Sequence, residues 1–159
     1  MNIYRKIMME TSWIKSEGAI VYDPPRDTMK RNTKNWCIVQ TSRGITGLYR
    51  WFLDRNWWEV EKNNVKRGYF EPAFPGHISI IRGEQLRQNA EDWNKIFKKK
   101  VAFEYANDIR MTTQDEKFYY IPVRFPEYNE IRKHFGLLTH DPRNGKEFTG
   151  HITIAKTYG

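Results

Sequence analysis

Two histidines, each followed two residues later by a hydroxyl side chain, are the groups in this sequence best suited to chemistry. They lie in an internal repeat of the form F-x-G-H-I-[ST]-I, which runs over residues 74–80 and again over 148–154. The first copy pairs His77 with Ser79, the second His151 with Thr153. Imidazole titrates near neutrality, so one ring can be neutral while another is protonated, and together they supply a general base and a general acid. The two hydroxyls can donate hydrogen bonds to oxygens on which negative charge builds in a transition state. That combination suits attack on a phosphodiester by a neighbouring ribose hydroxyl, in which one proton leaves the nucleophile as another reaches the departing oxygen. Such chemistry needs no metal and no cofactor. A single His-Ile-Thr is common in half-buried strands. The duplication, with glycine before both histidines and isoleucines at matching offsets, makes the functional reading the stronger one.

These residues must be held on strands. Successive side chains on a strand point to opposite faces, so His77 and Ser79 share one face while Ile78 and Ile80 share the other, and the second copy behaves alike. Imidazole and hydroxyl then lie about 6.5 to 7 Å apart along each strand. Two such strands side by side would surround one phosphate with four polar groups. Elsewhere, residues 2 to about 14 read as a short helix, 18–22 and 36–41 as strands, and 44 to about 59 as an amphipathic helix carrying Ile45, Leu48, Trp51, Phe52 and Arg55. Trp51, Phe52 and Trp57 are expected in the core. Residues 62–75 form a basic, aromatic loop before the strand at 76–82. From 84 to about 98 the pattern is again helical, with Leu86, Ala90, Trp93 and Phe97 on one side and Lys98, Lys99 and Lys100 where they would oppose the negative end of the helix dipole. Strands follow at 101–105 and 117–125, with hairpin character around 112–116, then a helix opened by Pro126 to about 135 and a last strand from 148 to about 157. This is an α+β pattern in one domain, residues 1–159, and the repeat suggests two related lobes.

Length and composition agree with one compact unit. No run is long and apolar enough for a bilayer, and no signal-peptide core is evident, so a cytoplasmic protein without a membrane partner is expected. Cys37 is the only cysteine, which excludes an internal disulfide and a cysteine-based zinc site within one chain. A net charge of +8 favours an anionic partner.

The paired motif resembles that of the two-histidine phosphoesterase superfamily, whose members carry a pair of His-x-Thr/Ser motifs on the central strands of a bilobal α+β fold with the active-site cleft between its lobes. The opening MNIY…MME…EGAIVYD and the segments KRNTKNW and GITGLYR are similar, more closely, to the phage anti-CBASS phosphodiesterases, which degrade the cyclic di- and trinucleotide signals, such as 3′,3′-cGAMP, that bacteria use in defence. The resemblance implies opening of a 3′–5′ linkage by its own 2′-hydroxyl, through a cyclic phosphate, to a linear product ending in a phosphate. The roles fall on His77, Ser79, His151 and Thr153. It also implies action in the bacterial host cytoplasm, and a monomer without an obligatory protein partner is expected.

Three further residues are candidates for substrate contact: Glu147, four residues before His151, for a base edge or an imidazole, and Tyr22 and Tyr69 as stacking platforms. For each, packing or solvation is the competing reading. Regular alternation turns Arg82 away from the reactive face. His134, His140 and Asp141 read as capping and turn residues rather than as metal ligands. Two other functions remain open, a phosphodiesterase or 2′–5′ ligase-like enzyme of RNA or tRNA ends, and a non-catalytic RNA-binding module.

Overall fold

The structure, a computed structural model, describes residues 11–25, 34–60, 76–112 and 116–158. Runs rich in β-branched and aromatic residues form the strands. They are β1 (Trp13–Tyr22), β2 (Trp36–Gln40), β3 (His77–Arg82), β4 (Lys100–Ala106), β5 (Arg110–Met111), β6 (Glu116–Arg124) and β7 (His151–Tyr158). Helix α1 (Arg43–Val60) joins β2 towards β3, and α2 (Glu127–His134) lies between β6 and β7. The fold is therefore α+β. All pairings are antiparallel, in the order β4-β1-β2-β3-β7-β6-β5, and β4 also pairs with β6, so the sheet turns back on itself. The two strands carrying the repeat are neighbours at its centre. Among the described residues no helix is long and apolar enough to cross a membrane.

One face of this sheet is the core, built from Ile20, Val39, Ile78, Ile80, Ile81, Ile121, Ile152 and Ile154, all at most 1% exposed. Helix α1 starts at Ser42, whose Oγ accepts the Gly44 N–H at 3.1 Å, an N-terminal cap. It buries Ile45, Tyr49 and Leu53, one residue per turn, and the Tyr49 hydroxyl donates to the Ala106 carbonyl on β4 at 3.3 Å. Leu48, Trp51 and Phe52 are exposed, which corrects the expected inward face and the expectation that Trp51 and Phe52 belong to the core. Two overlapping apolar stripes run along this helix, and the four-residue spacing of Ile45, Tyr49 and Leu53 matches the sheet better. The side chains of Arg55 and Trp57 lie outside those described.

Residues 84–98 are not an α-helix. They form a 3₁₀ turn, Ala90–Asp92, between irregular stretches. Asn89, Asn94 and Lys98 take left-handed φ values of 52°, 74° and 66°, and each interrupts helical continuation. Of the expected stripe, Leu86 and Trp93 pack against the core from these turns, joined by Ile96, while Ala90 and Phe97 are exposed. Tertiary bonds hold the segment: Arg87 and Gln88 donate to the Phe135 carbonyl, and Ile20 exchanges backbone bonds with Lys98 and Lys99. The lysine run thus leads into β4 and caps no helix. Similarly, residues from Trp13 on belong to β1 rather than to an opening helix, while the earlier part of that expectation lies outside the described residues.

Candidate active site

Strands β3 and β7 meet with Ile78 opposite Ile152. Antiparallel counting from that pair puts His77 opposite Thr153 and Ser79 opposite His151. The four side chains leave the face opposite to Ile78, Ile80, Ile152 and Ile154, which are buried. Opposed side chains in such a pair have Cβ atoms roughly 5 Å apart and diagonal neighbours roughly 7 to 8 Å, so the two imidazoles occupy one diagonal and the two hydroxyls the other. The outer strands extend the pattern, Gln40 beside His77 and Ile38 beside Ser79 on β2, Tyr120 beside Thr153 and Pro122 beside His151 on β6.

The glycine before each histidine serves a different need. Gly76 has φ +72°, where a side chain is strained, and its carbonyl accepts the Thr41 N–H at 2.7 Å. At Gly150 the limit is space, since a Cβ there would stand 2.7 Å from Ile78 Cγ2. Any larger residue would push apart the two strands that carry the motif.

Two aromatic side chains that sequence reading did not single out hold the imidazoles. Trp36, 1% exposed, stands edge-on to His77 with ring centres 5.3 Å apart, and its Nε1–H donates to Ser79 Oγ at 3.0 Å. With its oxygen already accepting, Ser79 has its own proton available to donate elsewhere. Tyr120 lies against His151 in the same edge-on manner at 5.3 Å. Only the strand pairing reveals these contacts, because both aromatics are remote in sequence from the motifs they touch.

Arg82 lies on the reactive face, contrary to the alternation expected for a regular strand. The β2–β3 register slips between Cys37–Ile81 and Ile38–Ser79, a bulge that turns both Ile80 and Ile81 inward, at 1% and 0% exposure. Arg82 therefore emerges beside the motif, opposite Trp36, with its guanidinium 5.6 Å from the centre of that ring. A buried clamp holds the bulge. Arg132 of α2 donates to the Ile80 carbonyl at 2.8 Å and to the Leu138 carbonyl at 2.7 Å, while both its terminal nitrogens pair with the Glu84 carboxylate at 2.6 and 2.7 Å.

Solvent reaches His151, but the protein packed around its ring and, secondarily, the positive charge of Arg82 lower its pKa below the ordinary histidine value. Its resting form near neutrality is the uncharged imidazole. A groove of about 780 Å³ opens beside it, lined by His151, Thr153, Tyr120, Arg82, Arg110 and Arg143 among others. His77 and Ser79, on the adjacent strand β3, are outside its lining.

The remaining candidates lie elsewhere. Tyr22 is 6% exposed and packs edge-on against Trp93 on the core side of the sheet; burial, then the nearby Cys37, raises its pKa. It offers no stacking face to the histidines. Glu147 accepts from Asn129 Nδ2 at 3.0 Å and lines a separate pocket of about 240 Å³ that shares only Thr149 and Gly150 with the groove. Tyr69 lies outside the described residues. His134 bonds to Asp92 at 2.7 Å, His140 to Thr139 at 3.0 Å, and Asp141 holds Arg143, so these polar groups have separate partners. Cys37 is buried, and its thiol is pushed up to about 12 by burial and by Asp23, which makes it unreactive.

No family model, no curated protein and no solved structure matches this chain.

Proposed function

We propose that the protein is a metal-independent phosphodiesterase of the two-histidine type, which hydrolyses 3′–5′ linkages of cyclic di- and trinucleotide defence signals and so counters CBASS immunity in the bacterial cytoplasm. The observation that carries this reading is the Ile78–Ile152 register, from which two imidazoles and two hydroxyls project on one face as the corners of a small rectangle. The repeated order of elements supports a bilobal description as well. β1-β2-α1-β3 and β4-β6-α2-β7 follow the same plan, and the strand order is mirrored about the β3–β7 contact.

His151, uncharged at rest, takes the proton from the ribose 2′-hydroxyl, whose oxygen attacks the adjacent phosphorus. The bond to the 5′-oxygen breaks as protonated His77 gives that oxygen its proton, leaving a 2′,3′-cyclic phosphate. Ser79 and Thr153 donate to the non-bridging oxygens as charge accumulates there. In a second step His77, now neutral, accepts a proton from water, the water oxygen attacks phosphorus, and His151 returns its proton to a departing ribose oxygen. The product is a linear nucleotide ending in a phosphate.

Incubation with cyclic oligonucleotides and short RNAs, in the presence of EDTA and with products identified by mass, tests the proposal. Cleavage of 3′,3′-cGAMP that is lost in both His77→Ala and His151→Ala supports it, and dependence on added metal ends it. One observation favours a second reading. Arg110 and Arg143, each paired with an aspartate, carry guanidinium groups along the groove beyond the histidines, where phosphates of an RNA end could compete for them. Preference for RNA ends over cyclic dinucleotides in the same panel would establish that reading instead.

A further inference from the structure

The structural repeat runs further than the sequence motif. In β7 the register slips between Tyr119–Ala155 and Tyr120–Thr153, so Ile154 and Ala155 both turn inward, each at 0% exposure. This is the same bulge, at the same offset from the histidine, as the one at Ile80 and Ile81 in β3. Each strand then reads histidine out, isoleucine in, hydroxyl out, two apolar residues in, cation out: HISIIR over β3 and HITIAK within β7. The cations are Arg82 and Lys156. Each stands opposite an aromatic residue of the outer strand, Trp36 facing Arg82 and Phe118 facing Lys156. Phe118 lines the same groove as Tyr120 and His151, which puts Lys156 on the reactive face too.

Because β3 and β7 are antiparallel, the two cations lie at opposite ends of the central quartet. Arg82 is on the His151 side and Lys156 on the His77 side, with Cα atoms roughly 20 Å apart at a rise of about 3.3 Å per residue. Their side chains are long enough to reach inward from both ends. Arg82 and His151 line one groove, which brings the guanidinium within reach of the centre.

We propose that Arg82 and Lys156 are a second pair of substrate-binding residues that hold the phosphates on either side of the scissile one, so that the site takes an internal linkage of an oligonucleotide rather than a lone terminal phosphate. This rests on the phosphodiesterase reading above and narrows its substrate class. A single phosphate is served by the four central groups. A second or third phosphate, as in a cyclic di- or trinucleotide, is what the outer cations add.

The test uses two probes that the protein cannot cleave through a 2′-hydroxyl, a 2′-deoxy 3′,3′-cyclic dinucleotide and adenosine 3′-monophosphate, with binding measured by calorimetry. Arg82→Met and Lys156→Met should each weaken the cyclic probe about tenfold, the loss expected for one charge-assisted contact. The double variant should lose about a hundredfold, since the positions are far apart. Binding of the monophosphate should change less than about threefold, and Arg82→Lys should recover most of the affinity, which a role in folding would not predict. Variants that bind the cyclic probe as the parent does, or that lose the monophosphate by the same factor, overturn the proposal. A parent protein that binds neither probe overturns the reading of the site itself and this proposal with it; one that binds and cleaves cyclic dinucleotides while the variants match it overturns this proposal alone.

Discussion

The β2–β3 half and the β6–β7 half of the sheet carry the same motif but support it differently. On the first side a single residue, Trp36, touches both members: its ring stands against His77 and its N–H holds the Ser79 oxygen. On the second side Tyr120 packs against His151 while lying opposite Thr153 in register. The first glycine meets a backbone demand, the second a packing demand. The first bulge is locked by a buried arginine from α2. Duplication of a motif therefore does not imply equal surroundings; on the proposed phosphodiesterase reading, His151, whose pKa its packing and Arg82 lower, suits the base, and His77 the acid.

The sharpest way to break that comparison is to remove each imidazole. His77→Ala and His151→Ala should each lower kcat by about 10² to 10⁴ towards cyclic dinucleotides. A p-nitrophenyl leaving group needs no protonation, so it should restore the first step, read as nitrophenolate release, to His77→Ala and leave His151→Ala inactive. The opposite pattern reverses the assignment. Next in size are the hydroxyls. Ser79→Ala and Thr153→Val should each cost about a hundredfold in kcat, as loss of a transition-state donor does. Only Ser79→Ala should also lower stability, by about 1 to 3 kcal/mol, because it strands the buried Trp36 N–H; equal unfolding midpoints for the two variants would argue that this bond contributes nothing.

Smaller effects distinguish the glycines. Gly150→Ala should destabilise by about 1 to 3 kcal/mol through overpacking against Ile78, and Gly76→Ala by about 1 to 2 kcal/mol through left-handed strain, both read by denaturant unfolding. Activity should suffer more in Gly150→Ala, since that Cβ stands between the motif strands. The smallest effect is in pH. With its pKa below the usual 6.5, His151 stays a competent base under slightly acidic conditions, so the acid limb of kcat/KM should lie below 6.5 and move upward in Arg82→Met. The sign for stability is the same: the unfolded chain protonates this histidine first, so its contribution is lost as pH falls from about 6.5 towards the native value. An acid limb unmoved by Arg82→Met would show that Arg82 does not act on His151.

Much of the site was legible because strand alternation is a local property. From the spacing alone, His77 and Ser79 had to share a face opposite Ile78 and Ile80, and His151 and Thr153 likewise, whatever the strands paired with. Helix α2 and strands β2, β4 and β6 were readable from Pro126 and from their apolar and aromatic runs. The segment from 84 to 98 departs from its helical spacing because Leu86 and Trp93 pack inward from turns while Ala90 and Phe97 of the same stripe stay exposed, and three left-handed residues interrupt it. Tyr22 has the ring of a stacking candidate, but its face of β1 is the core face.

What this chain determined by itself was the candidate groups and their faces: two imidazole–hydroxyl pairs, duplicated, each backed by isoleucine. What only tertiary structure decided was which groups keep company across strands. The Ile78–Ile152 register, the Trp36 contact and the bulges that bring Arg82 and Lys156 to the surface of the candidate site depend on pairing between residues about 30 to 75 positions apart. Register is set by how whole strands bury their apolar faces together, and a one-residue slip in that packing is invisible in the period of any one strand.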